Sequence, residues 1–117
     1  MNFRERLPDR REGHTLKIVW RLLGGQEINL YATIGYYADG RVGEVFGDTA
    51  KSGTDMEALI SDGCILISLA LQHGVPLSLV AEALGENRAE GASEGPPASP
   101  LGMIAREALL LEKEMRA

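Results

Sequence analysis

Residues 15–46, TLKIVWRLLGGQEINLYATIGYYADGRVGEVF, decide the fold of this chain. Apolar side chains occupy every second position in the first two parts of the stretch, which is the spacing of strands with one buried face; these are Leu16, Ile18, Trp20, Ile28, Leu30, Ala32 and Ile34. Gly24-Gly25 and Asp39-Gly40 are typical of the turns that close hairpins. A third strand is predicted over 42–48. The pattern therefore predicts a three-stranded antiparallel meander.

The residues after the third strand supply a cover for this sheet, which a lone meander of this size needs for stability. Apolar positions recur there at spacings of three and four, one stripe of an α-helix; they are Met56, Leu59, Ile60, Cys64, Ile67 and Leu71. Thr54 or Asp55 is the predicted N-cap and Gly74 the predicted stop. The sequence predicts an α+β fold, in which a long helix, a short helix and a C-terminal helix pack on the meander.

The remaining segments complete the predicted organisation. Pro76 starts the short helix, since proline is well tolerated at a helix start, and the helix ends near Gly85. Almost no large apolar side chain follows until Ser99-Pro100, a cap and then a proline, which predicts the last helix. The predicted parts are an extended basic arm (1–13), an α+β core domain (14–84), a flexible linker (85–99) and a C-terminal helix (100–117).

Composition limits the class of protein. A chain of 117 residues suits one domain, and a hydrophobic fraction of 44% predicts a real core. The net charge of −5 argues against nucleic acid as a partner. The N-terminus lacks the apolar segment of a signal peptide. The longest mostly apolar stretch, 63–71, is too short to span a bilayer. We expect a cytoplasmic protein that has no membrane partner.

The loop over 47–54, GDTAKSGT, is the most suggestive stretch for ligand binding. It joins a strand to a helix, and helix N-termini bind anions through free N–H groups. Its candidate ligand-binding residues are Lys51, Ser52, Gly53 and Thr54. The spacing is not that of a Walker A loop, which needs glycine directly followed by lysine and then serine or threonine. A loop leading into a capped helix is the alternative interpretation.

The N-terminal arm carries a cluster of positive charge on an otherwise acidic chain. Within 4–11, the residues Arg4, Arg6, Arg10 and Arg11 stand against only two acidic residues, Glu5 and Asp9. Such an arm is a candidate site for a phosphate or an acidic partner. A solvated, frayed terminus is the alternative.

No catalytic constellation emerges from the sequence. Cys64 is the single cysteine, so neither an intrachain disulfide nor a cysteine-rich metal site is expected. It lies on the predicted buried stripe, where a thiol is usually inert. His14 and His73, the only histidines, are not expected to converge with it. We predict no cofactor, no metal site and no enzymatic activity.

Several motifs together resemble the TSCPD domain. This domain is the C-terminal domain of adenosylcobalamin-dependent (class II) ribonucleotide reductases and also occurs as small stand-alone proteins. They are Arg4-Glu5-Arg6-Leu7-Pro8, Arg10-Arg11, Asp39-Gly40-Arg41, Glu44-Val45-Phe46, Ser52-Gly53, Asp55, Asp62, the run from Ser68 to Leu77, and Pro100-Leu101-Gly102. The resemblance covers about 4–105. The cysteine motif that names the family is absent, and Ala98-Ser99-Pro100-Leu101 stands near its place. The resemblance implies an accessory or regulatory module that touches a reductase or a nucleotide.

These observations favour a non-catalytic protein-binding or accessory module, associated with ribonucleotide reductase or with a phage or host partner. We also expect self-association into a homo-oligomer, because the helices carry more apolar surface than three strands can cover. The residues concerned are Ile65, Leu66, Leu69, Leu110 and Leu111. The alternative function is a small-ligand or nucleotide-binding regulatory domain that uses the 47–54 loop.

Overall fold

The computed structural model describes residues 3–21, 24–49 and 53–117. Three strands come first along the chain and three helices follow them: β1 (Gly13–Arg21), β2 (Glu27–Tyr36), β3 (Val42–Thr49), α1 (Asp55–Gln72), α2 (Leu77–Ala83) and α3 (Pro100–Met115). This order confirms the predicted α+β fold. In the described part of the chain, no helix has both the length and the apolar character needed to cross a membrane.

The sheet is an antiparallel meander with the order β1-β2-β3. Its register places Ile18 opposite Leu30 and Ala32 opposite Gly47. Opposite residues share a face of the sheet, so the alternating apolar positions of all three strands point to one side. The turn between β2 and β3 is tight, and Gly40, with φ of 89°, adopts a backbone conformation that other residues rarely tolerate.

Helix α1 covers β3 and part of the inner face of the sheet. It starts where the Oγ1 of Thr54 accepts a hydrogen bond from the Glu57 N–H, so Thr54 is the cap. Ile60, Cys64 and Ile67 are buried, as predicted. The prediction for Leu59 is wrong: its side chain is 67% exposed. The sheet contacts one narrow stripe of the helix, and Leu59 lies to the side of it.

Helix α3 closes the core from the other end of the chain. Ser99 caps it by accepting the Gly102 N–H, with Pro100 at its first position. Ile104 is fully buried, which contributes about 2 kcal/mol. A Cβ atom on Gly47 would lie only 3.0 Å from the Cδ1 of Ile104 and 2.9 Å from the Cγ2 of Ile60. Glycine at this position therefore lets both helices approach β3 closely.

The segment predicted as a flexible linker, residues 85–99, is an irregular loop that folds back on itself. The N–H of Asn87 donates to the carbonyl of Pro96 at 2.8 Å, and the N–H of Ala98 donates to the carbonyl of Gly85 at 2.9 Å. The two ends of the loop are therefore tied together. This brings the start of α3 close to the end of α2.

Candidate functional site

The predicted ligand loop falls partly among the described residues. Lys51 and Ser52 lie outside the described residues. Thr54 caps α1, and the N–H of Gly53 donates to the Oε1 of Glu57 at 3.2 Å. The first turn of α1 thus carries the carboxylates of both Asp55 and Glu57. These negative charges occupy the end of the helix that favours anions and would repel a phosphate bound there.

A cavity of about 490 Å³ lies beside the loop. Thr49, Thr54 and Met56 form its wall on the side of β3 and α1. The opposite wall comes from the start of β2, at 26–29. The volume is in the range of small-molecule pockets.

The four arginines of the arm fall into two pairs with different surroundings. The Nε of Arg4 donates to the Oε1 of Gln72 at 2.6 Å, and the Nε of Arg11 donates to the Oε1 of Glu44 at 2.5 Å. The hydrogen bond to Glu44 raises the pKa of the Arg11 guanidinium. Arg6 and Arg10 are exposed and make no hydrogen bond or ion pair to another described residue. Only these two are therefore free for a ligand or partner within the described chain.

The backbone of the arm is also fastened to the domain. The N–H of Glu5 donates to the carbonyl of Gln72 at 2.7 Å, and its carbonyl accepts the hydroxyl of Tyr37 at 2.6 Å. The guanidinium of Arg41 lies over the Tyr37 ring at 4.6 Å and forms an ion pair with Glu5. The arm is thus an ordered strap across the end of the sheet.

Beneath the strap lies a row of buried polar side chains that the sequence interpretation missed. Gln72 donates from Nε2 to the carbonyl of Gly43 at 2.9 Å. Ser68 accepts the N–H of Val45 at 2.9 Å and donates to the Val45 carbonyl at 3.0 Å. A signal was present in the sequence, because Ser68 and Gln72 follow Cys64 at helical spacings of four on the buried stripe. These contacts join α1 to β3.

The candidate reactive groups lie in separate environments. Cys64 is buried in the core, and burial raises the pKa of its thiol to about 11. The Nδ1 of His14 lies 2.8 Å from the Tyr36 hydroxyl, whereas the Nδ1 of His73 lies 2.8 Å from the Leu69 carbonyl in α1. Across residues 3–21, 24–49 and 53–117, no three histidine, cysteine or acidic side chains are grouped to hold a metal ion.

The side of α1 that faces away from the sheet exposes a row of apolar side chains. Leu59 and Leu66 are each 67% exposed, and Ile65 is 49% exposed. Leu59 and Leu66 are two helical turns apart and lie on one face. Asp62 lies between them and is exposed as well. Its carboxylate therefore places a charge within the apolar row. Exposed apolar side chains on one face of a helix make this face a candidate contact surface.

Comparison with known proteins places this fold in a family. The model of the TSCPD domain matches residues 3–108. Vitamin B12-dependent ribonucleotide reductases include similar sequences: that of Bradyrhizobium diazoefficiens is 42% identical over 92 residues, which is 79% of this chain and 7% of the reductase. That of Agrobacterium fabrum is 44% identical over 80 residues, 68% of this chain and 6% of the reductase.

A third relative, the vitamin B12-dependent ribonucleotide reductase of Rhodopirellula baltica, is 37% identical over 87 residues, 74% of this chain and 8% of the reductase. The chain therefore spans less than a tenth of the length of these three relatives. No solved structure matches it significantly. The family model covers nearly the whole chain, including the arm, the sheet and most of α3, and on that basis the chain belongs to the TSCPD domain family.

Proposed function

We propose that the chain is a non-catalytic accessory module that binds a vitamin B12-dependent ribonucleotide reductase. The observation that carries this proposal is the exposed apolar row of α1, formed by Leu59, Ile65 and Leu66, on a domain that is related to part of such reductases. A domain that is a segment of a large enzyme in its relatives has a natural partner in the rest of that enzyme. The buried, protonated thiol of Cys64 is consistent with a role in contact rather than in chemistry.

The proposed contact surface is apolar at its leucine and isoleucine positions and polar at Ser61 and Asp62, which are exposed among them. Aliphatic side chains of this size supply buried apolar area when a partner covers them. The surface belongs to the longest helix of the domain, which is held rigidly by the hydrogen bonds from Ser68 and Gln72 to β3. A rigid apolar helix face binds with little loss of conformational freedom.

Binding to a purified reductase tests this function. The full chain is immobilised and exposed to a truncated Bradyrhizobium diazoefficiens reductase from which the region similar to this chain has been removed. Binding is measured by biolayer interferometry. We expect the double variant Leu59→Glu, Leu66→Glu to weaken binding at least about tenfold, because each substitution places a charge where the proposed contact would bury an apolar side chain. The matched control is Leu79→Glu, which changes a leucine of α2 that is 53% exposed.

The result has clear readings. Binding by the wild type and the control, with loss in the double variant, supports the proposal. No binding by the wild type, or equal binding by all three proteins, would show that this surface does not hold a reductase. All three leucines are exposed, so the variants are expected to fold like the wild type.

A second candidate function, binding of a nucleotide or other small ligand, is favoured by the cavity of about 490 Å³ beside Thr49 and Thr54. A ligand present at a thousand times its Kd stabilises a protein by about 4 kcal/mol. Thermal unfolding with millimolar nucleoside mono-, di- and triphosphates tests this candidate. An unchanged Tm with every nucleotide would remove them as ligands of this cavity.

A further inference from the structure

The two edges of the sheet differ in how their backbone groups are used. In an antiparallel pair, opposite residues alternate between those that exchange hydrogen bonds and those that do not. The N–H of Tyr36 donates to the carbonyl of Glu12 at 3.1 Å, and this pair continues the register of Gly13 with Gly35. Even-numbered residues of β1 therefore bond to β2, and odd-numbered residues of β1 direct their N–H and C=O groups to the open edge.

The edge formed by β3 is closed by side chains of the helices. Ser68 takes both the N–H and the C=O of Val45, Gln72 takes the C=O of Gly43, and the Oε2 of Glu112 accepts the N–H of Val42 at 2.8 Å. The outward direction of the Val45 groups agrees with the alternation deduced for β1, because Val45 lies opposite Ile34, an even-numbered residue of β2. No added strand can pair along this part of β3.

The edge formed by β1 is open. The residues whose backbone N–H and C=O groups point to this edge are Gly13, Thr15, Lys17, Val19 and Arg21. Within the described ranges, no residue outside β2 hydrogen-bonds to the backbone of this strand. A nine-residue edge strand with free backbone groups is a template for pairing with another strand. Natural proteins normally protect such edges, as this one does along β3.

The side chains beside the open edge favour an apolar strand on the inner face. Leu16 and Trp20 pack against the core but are only half-buried. A groove of about 680 Å³ lies beside Trp20, between β1 and the segment that leads into α3. Pro96, Pro97 and Met103 form its far wall. A neighbouring strand would fill part of this groove and complete the burial of Leu16 and Trp20.

We propose that a second copy of this chain occupies the edge, with the two β1 strands antiparallel and centred on Ile18. In this register, Leu16 lies beside the partner's Trp20 and Ile18 beside the partner's Ile18, so apolar residues meet on the inner face. On the outer face, Lys17 lies opposite the partner's Val19 and Thr15 opposite the partner's Arg21. No two like charges are directly opposite. About eight backbone hydrogen bonds would form along 15–21, and the result is a continuous six-stranded sheet.

A charged side chain introduced at position 19 tests this register. The Val19→Glu variant places a carboxylate directly opposite the partner's Lys17 at two symmetric positions, whereas Val19→Lys places like charges there. Directly opposite side chains of opposite charge stabilise a strand pair, and like charges destabilise it. We expect the dimer dissociation constant of the lysine variant to exceed that of the glutamate variant at least about tenfold. The matched control, Phe46→Lys, changes an apolar side chain of β3 that is 50% exposed on the same face of the sheet, against 49% for Val19.

Sedimentation equilibrium of the full chain measures these constants, and hydrogen exchange identifies the surface. Wild-type protein should be dimeric at about 100 µM, well above a micromolar Kd, and the control should match it. The amides of Lys17 and Val19, which point outward, should gain protection as concentration rises, whereas that of Ile18 should be protected at every concentration. A monomeric wild type overturns the proposal. A dimer that forms through the helices would leave the amides of Lys17 and Val19 unprotected, and that result also overturns the proposal. A dimer whose dissociation constant is the same in both Val19 variants overturns it as well.

Discussion

Replacing Ser68 by alanine tests the closure of the β3 edge. Among the described residues, the hydroxyl of Ser68 is the only group of α1 that hydrogen-bonds to the backbone of Val45. It accepts the Val45 N–H at 2.9 Å and donates to the Val45 C=O at 3.0 Å. Both residues are buried: Val45 has no exposed surface, and Ser68 is 8% exposed. Ser68→Ala removes both hydrogen bonds, and the alanine methyl group cannot replace them.

The expected loss of stability follows from the burial of the Val45 groups. A buried donor left without a partner costs about 1–3 kcal/mol. We expect a loss of about 2 kcal/mol, the middle of this range, because Val45 has no exposed surface. With an unfolding entropy of about 2.1 cal/mol/K per residue, a domain of 117 residues should lose about 8 °C in Tm.

The matched control is Ser61→Ala, an exposed serine in the same helix. Both variants make the same gain in helix propensity, about half a kcal/mol, so their difference isolates the buried hydroxyl. Urea unfolding followed by circular dichroism, with equal m-values, gives the free energies. Equal stability of the two variants would refute the assignment of Ser68 as the group that satisfies the β3 edge.

The other two predictions concern ionisable groups. The N–H of Gly95, and then Arg88 and Arg106, lower the pKa of Glu86; the carboxylate therefore stabilises the loop above its ordinary pKa of 4.5 and loses this effect as pH falls through the lowered pKa. In NMR spectra the Gly95 amide should titrate with a midpoint below that value, and the titration should vanish in Glu86→Gln; a midpoint at or above the ordinary value contradicts it. For Cys64, a pKa of about 11 leaves about one thiol in a thousand ionised near pH 8, so a disulfide reagent should label the native chain very slowly and the urea-unfolded chain rapidly, once per molecule. Rapid labelling of the native chain would contradict its burial.

Local features of the sequence account for much of the fold. The two-residue alternation of Leu16, Ile18 and Trp20 predicts a strand with one buried face, and the structure has one there. Thr54 and Ser99 are caps because each side chain reaches an N–H within its own first helical turn. These features depend on residues close in the chain, so they can be predicted without knowledge of the tertiary structure.

The errors and omissions involve contacts between distant residues. Leu59 was assigned to the buried stripe because its spacing suits one, but the width of that stripe depends on how much of α1 the sheet touches. The arm was predicted as an extended segment, and nothing near Arg4 or Arg11 in the sequence indicates Gln72 or Glu44 as their partners. Helical spacing alone does not say that Ser68 and Gln72 face a strand edge rather than solvent.

The sequence by itself determined the α+β class, the order of the elements, the Ser99 cap and the burial of Cys64, and it narrowed the first cap to Thr54 or Asp55, since each follows from the periodicity and turn chemistry of neighbouring residues. Only the tertiary structure decided that the arm is a strap, that β3 is closed by α1 and α3, and that β1 keeps an open edge. The physical reason is that a backbone group's hydrogen-bond partner depends on packing. Ser68 reaches Val45, at a sequence separation of 23, only once the helix lies on the sheet.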